Sequence, residues 1–115
     1  MKNLIILNDA PYGSERSYNG LRLARALIKQ PDQRVRVFLL GDAVICAKAG
    51  QKVPEGYYNA ADMVKVIAAS GEVGLCATCM AARGIEDGEL VVGAARKTLM
   101  DLASWTTEAD KVLVF

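Results

Sequence analysis

Four short apolar runs, "NLIIL" (3–7), "RVRVFLL" (34–40), "EVGLC" (72–76) and "KVLVF" (111–115), are separated by longer stretches with apolar residues at helical spacing. This repeated switch of hydrophobic period constrains the fold more than any other feature of the chain. Runs of strand length, rich in branched residues, suit burial on both faces, as a parallel sheet requires. Between the first two, Leu21, Ala24, Leu27 and Ile28 share one face of a helix over 17–29 that Pro31 stops. Ser14 is placed to cap that helix, with Glu15 suiting its dipole. Gly41-Asp42 opens a short helix carrying Val44, Ile45 and Cys46, and "KAGQKVPEGYYN" (48–59) reads as a loop. Ala60, Met63, Val64, Ile67 and Ala68 form a further stripe that Gly71 stops. Asp87-Gly88 marks a turn, and Ala95, Leu99, Leu102, Ala103 and Thr106 stripe a last helix ending near Trp105.

The order strand, helix, strand, helix, helix, strand, helix, strand predicts an α/β sandwich with a mainly parallel sheet. At 115 residues the chain has room for a single core, so residues 1–115 read as one domain. Apolar types make up 52% of it, a surplus that so small a domain hides most easily between subunits. A formal charge of +1 gives no electrostatic case for binding nucleic acid or an anionic membrane. No stretch approaches the ~20 apolar residues that span a bilayer, and "MKNLIILNDAPYG" is not a secretory signal. The expected location is therefore cytoplasmic, where thiols stay reduced.

Three cysteines and no histidine leave "GLCATCMAARGI" (74–85) as the segment richest in reactive chemistry. If the chain turns helical just after Cys76, then Cys76, Cys79 and Arg83 fall on one face and Gly84 ends the helix. A thiol in the first turn feels unpaired N–H groups and the positive end of the dipole, and a nearby guanidinium also favours thiolate. The competing reading makes both cysteines small core residues, and that reading is preferred for Cys46 inside "AVICA". A zinc site would need four sulfurs shared across a two-fold axis. A thioredoxin-like dithiol has the right strand–CxxC–helix order, but Thr78 stands where proline is usual. The loop "NDAPYGSE" (8–15) reaches the same rim and lacks both phosphate-binding glycine patterns, and Tyr57 and Tyr58 read as packing or interface residues.

The blocks "NDAPYGSE", "FLLGDAVICAKAGQKVPEGYYN", "LCATCMAARGI" and "LASWTTEADKVLVF" resemble the DsrE/DsrF-like family, in particular its small YchN-like members. The resemblance implies a flavodoxin-like three-layer fold, assembly as a homohexamer of two stacked trimers, and sulfur handling. In sulfur-relay members a cysteine followed seven residues later by arginine and then glycine carries a persulfide between donor and acceptor proteins. That pattern selects Cys76 with Arg83 and Gly84, while Cys79 has a counterpart in YchN-like members only. Such chemistry calls for no metal and no cofactor. Arg83 would steady the anion, Asn8, Tyr12 and Ser14 would line the rim as hydrogen-bond donors, and Cys79 would resolve the persulfide as a disulfide. The alternatives are a non-catalytic homo-oligomeric module binding a ligand or protein at the same rim, and a Cys76/Cys79 dithiol redox protein.

Overall fold

A computed structural model describes all residues, Met1–Phe115. The elements are β1 (Lys2–Leu7), α1 (Arg16–Ile28), β2 (Arg34–Leu39), a 3-10 segment (Gly41–Ala47), α2 (Ala60–Ser70), β3 (Glu72–Cys76), α3 (Ala77–Ala82), β4 (Ala94–Lys97), α4 (Leu99–Glu108) and β5 (Lys111–Val114). The five strands form one sheet in the order β4-β3-β2-β1-β5, and every adjacent pair is parallel. The carboxyl ends of all strands therefore share one edge, the rim on which α/β sheets collect ligands.

The apolar runs do what their composition dictates. Ile5, Leu7, Val37, Leu39 and Leu75 are fully buried within a core that continues through Leu21, Ala24, Val64 and Ile67 of α1 and α2. Those two helices pack side by side over one face of the sheet. The opposite face carries α4, whose Trp105 meets Phe38 edge-on at 5.8 Å between ring centroids. Arg36 lies 5.0 Å above the Trp105 ring and pairs with Glu72 and Glu108, closing this layer at its rim. Register places Ile6 beside both Phe38 and Val114, so Val112 and Val114 of β5 point to the α4 side, where they remain exposed.

Three local expectations change. Residues 94–97 form an edge strand, whereas the apolar spacing assigned Ala95 to the last helix. The helix begins instead at Leu99, where Thr98 caps it by accepting from Asp101 N–H at 3.2 Å and Asp101 returns the bond to Thr98 N–H at 2.7 Å. Ser14 does not cap α1: its hydroxyl donates to Asp9 at 3.0 Å, and Glu15 occupies the cap position without a side-chain bond. Gly71 does follow α2, but at φ −133° it needs no left-handed backbone. A Cβ there would lie 2.3 Å from the Val35 carbonyl oxygen, so close approach to β2 demands glycine.

Candidate functional site

The site grows from the junction of β3 with α3. Cys76 is the last residue of the strand and the N-cap of the helix, so its side chain faces N–H groups that lack a helical acceptor. Its Sγ accepts from the Cys79 N–H at 3.3 Å and lies 3.2 Å from the Thr78 hydroxyl. Cys79, one turn on, accepts at its own Sγ from the backbone N–H of Gly41 at 3.2 Å. Gly41 adopts φ +55°, the left-handed turn that aims this N–H across from the end of β2.

Burial differs among the three thiols. Cys46 is fully enclosed, and burial pushes it up to about 12, so it is an inert core residue. Cys76 is buried, with 6% of its surface left to solvent. Cys79 is half-buried. Burial pushes the Cys76 thiol up, but hydrogen bonds from the Cys79 and Thr78 side chains and backbones outweigh it and leave Cys76 below the ordinary thiol value. Cys79 is held above that value by burial and by its hydrogen bond to Cys76, against the opposing pull of Gly41 N–H and Arg83. The two thiols are thus pushed apart, Cys76 toward thiolate and Cys79 toward thiol.

Arg83 does not approach Cys76 in the way its spacing suggests. Its Nε and Nη2 donate to Asp42 Oδ1 at 3.0 and 2.8 Å, and its Nη1 donates to the Cys79 carbonyl at 3.0 Å. The guanidinium therefore ties α3 to the 3-10 segment and lends its positive charge to Cys79. Gly84 ends α3 as expected: it has φ +65°, and its N–H and that of Ile85 donate to Ala81 and Met80 carbonyls at 3.2 and 3.0 Å. Its part is conformational.

The residues of the neighbouring loop stand on the same rim, but their hydrogen bonds go elsewhere. Asn8 donates through Nδ2 to the Phe115 carbonyl at 3.2 Å and so fastens β5. Tyr12 donates to Gln51 at 2.5 Å and accepts from Ala60 N–H at 3.1 Å, fixing the long loop against α2. Ser14 bonds Asp9. Tyr58 packs as expected, stacked on Tyr18 at 4.0 Å, whereas Tyr57 is exposed. Three contributors escaped the sequence reading: Thr78, Gly41 and Asp42. The Gly-Asp pair directly after "VFLL" was the available signal, because the carboxyl end of β2 must adjoin that of β3 in a parallel sheet. No cluster of three or more His, Cys, Asp or Glu side chains is arranged to hold a metal ion.

Fold and site together define a class: a parallel α/β domain presenting a cysteine pair where an interior strand gives way to a short helix. The chain belongs to the DsrE/DsrF-like family, whose profile it matches over residues 1–115. It is 47% identical over 116 residues to protein YchN of Escherichia coli K12, an alignment covering 99% of this chain and 98% of that one. A Methanocaldococcus jannaschii protein is 35% identical over 116 residues, covering 100% of both. The crystal structure of E. coli YchN superimposes with a TM-score of 0.93 at 46% identity, covering 99% of this chain and 98% of that one. A Methanobacterium thermoautotrophicum protein of unknown function shares the fold, with a TM-score of 0.75 at 13% identity over 100% of both chains.

Proposed function

We infer that the protein is a cytosolic sulfur carrier that takes a persulfide sulfur on Cys76 and relays it to a partner. One observation carries this reading: the Cys76 sulfur sits at a strand–helix junction, accepting from the Cys79 N–H at 3.3 Å and lying 3.2 Å from the Thr78 hydroxyl. Membership of a family associated with sulfur relay supports it. The thiolate attacks the outer sulfur of a donor persulfide, that donor's S–S bond breaks, and the donor departs as a thiolate that takes up a proton. Cys76 then holds a terminal sulfur whose oxidation state is unchanged, and an acceptor nucleophile removes it with Cys76 thiolate as leaving group. Arg83 and Asp42 hold α3 in place, while Asn8, Tyr12 and Ser14 shape the adjoining rim against which donor and acceptor proteins dock.

The homohexamer belongs to the same proposal. Val92, Leu99, Met100, Val112 and Val114 are large apolar residues left exposed in the single chain, and subunit contacts would cover them. No helix is long and apolar enough to cross a membrane. Incubation with a cysteine desulfurase and cysteine, followed at once by alkylation, is expected to add one sulfur to Cys76. Cys76→Ser should abolish the addition, and an addition that persists in that variant would refute the assignment.

A further inference from the structure

A carrier that only receives and gives needs one thiol, and a second thiol one helical turn away puts its cargo at risk. Cys79 is that second thiol. Its backbone N–H lies 3.3 Å from the Cys76 sulfur, and its own sulfur is held by the Gly41 N–H at 3.2 Å, with Arg83 fastened to its carbonyl at 3.0 Å. Those neighbours favour a negative charge on Cys79, against the burial and the Cys76 hydrogen bond that raise it. We propose that the site is a persulfide reductase, in which Cys79 attacks the Cys76 sulfur of the loaded protein and expels the stored sulfur as sulfide. The proposal rests on the carrier reading above, because it starts from the persulfide that reading places on Cys76.

The step balances within the site. A bond forms between the Cys79 and Cys76 sulfurs, and the bond from Cys76 to the terminal sulfur breaks. The electron pair leaves on the terminal sulfur, which takes up the proton given up by Cys79 and departs as hydrosulfide. The sulfane sulfur gains two electrons and the two thiols lose them, ending as a disulfide. An external dithiol, small or protein-borne, is the reductant that returns the pair to its starting state. Loading also sets off the step. A thiolate at Cys76 opposes ionisation of Cys79, but a persulfide carries its charge one atom further out. Burial still raises the Cys79 thiol, but its hydrogen bond to Cys76 weakens, and the Gly41 N–H and Arg83 remain to favour ionisation. Substrates of this class are small persulfides and polysulfides, or a loaded donor protein lacking an acceptor.

The test uses the full, reduced chain in single turnover with glutathione persulfide under anaerobic conditions, reading sulfide and intact mass together. Wild type is expected to release one sulfide per protomer and to lose two hydrogens, with a Cys76–Cys79 cross-linked peptide. Cys79→Ser and Cys79→Ala should keep the added sulfur on Cys76 and release sulfide slower by about a hundredfold, since they lack the positioned intramolecular thiol. Two variants guard against one that fails to fold. If both variants load but wild type holds its persulfide equally long, the reductase proposal is overturned and the carrier reading stands. If both load and then release sulfide as fast as wild type, the proposal is likewise overturned. If neither variant nor wild type ever acquires sulfur, the carrier reading falls and takes the reductase with it.

Discussion

Thr78→Val isolates one of the two donors that face the Cys76 sulfur. Valine keeps the branched shape in the first turn of α3 and removes only the hydroxyl, 3.2 Å from Cys76 Sγ. A hydrogen bond to a charged acceptor is worth about 1.5–3 kcal/mol when sheltered. Thr78 itself is exposed, so water replaces part of that and about 1 kcal/mol is the reasonable loss. Removing a donor to the thiolate raises its pKa, and 1 kcal/mol corresponds to about a fivefold fall in thiolate fraction below the midpoint. The more basic thiolate is intrinsically about twofold more nucleophilic, so the net loss in rate there is about two- to threefold. The assay is alkylation by iodoacetamide, read separately on the peptide of each cysteine across a pH series. The midpoint for Cys76 should move to higher pH while its high-pH plateau holds or rises slightly. An unmoved midpoint, or a lowered plateau at the original midpoint, would refute the idea that this hydroxyl stabilises charge on sulfur.

Cys46 gives a stability test. Below the ordinary thiol value both folded and unfolded chains hold its proton; above it only the unfolded chain releases it, until the folded thiol titrates at about 12. Across that alkaline window wild type should lose about 1.4 kcal/mol per pH unit relative to Cys46→Ala in urea unfolding, and parallel curves would contradict its burial. Arg83→Gln should raise the alkylation midpoint of Cys79 and leave that of Cys76 in place, the reverse of what the helical spacing alone suggests. Gly71→Ala should cost about 2 kcal/mol or more in the same unfolding assay, since its Cβ would enter within 2.3 Å of the Val35 carbonyl oxygen.

The parts of this fold that were legible are those where one physical signal acted alone. "NLIIL" and "RVRVFLL" are strands because nothing but a buried sheet uses such runs at that length, and Gly84 ends α3 because only the left-handed turn suits that position. Strand β4 was lost because "AARK" buries little beyond alanine, so its edge pairing rests on backbone hydrogen bonds that carry no side-chain pattern. The capping pair Thr98 and Asp101 would have moved the helix start past it. At the site, spacing along the chain puts Cys76 and Cys79 side by side because local geometry joins them. It misjudged Arg83 because Asp42, which holds that guanidinium, lies on a different loop 41 residues away in sequence. Gly41 and Thr78 escaped for a related reason: their hydrogen bonds to sulfur depend on where two strand ends meet and on one rotamer.

The central claim is that Cys76, among three thiols, is the one poised to take sulfur. Its most direct measurement locates the added atom in Cys79→Ala protein after one turnover with a desulfurase and cysteine, by peptide mass spectrometry without reductant. One extra sulfur is expected on the Cys76 peptide and none on the Cys46 peptide. An unmodified Cys76 beside an established carrier that loads under the same conditions would contradict it.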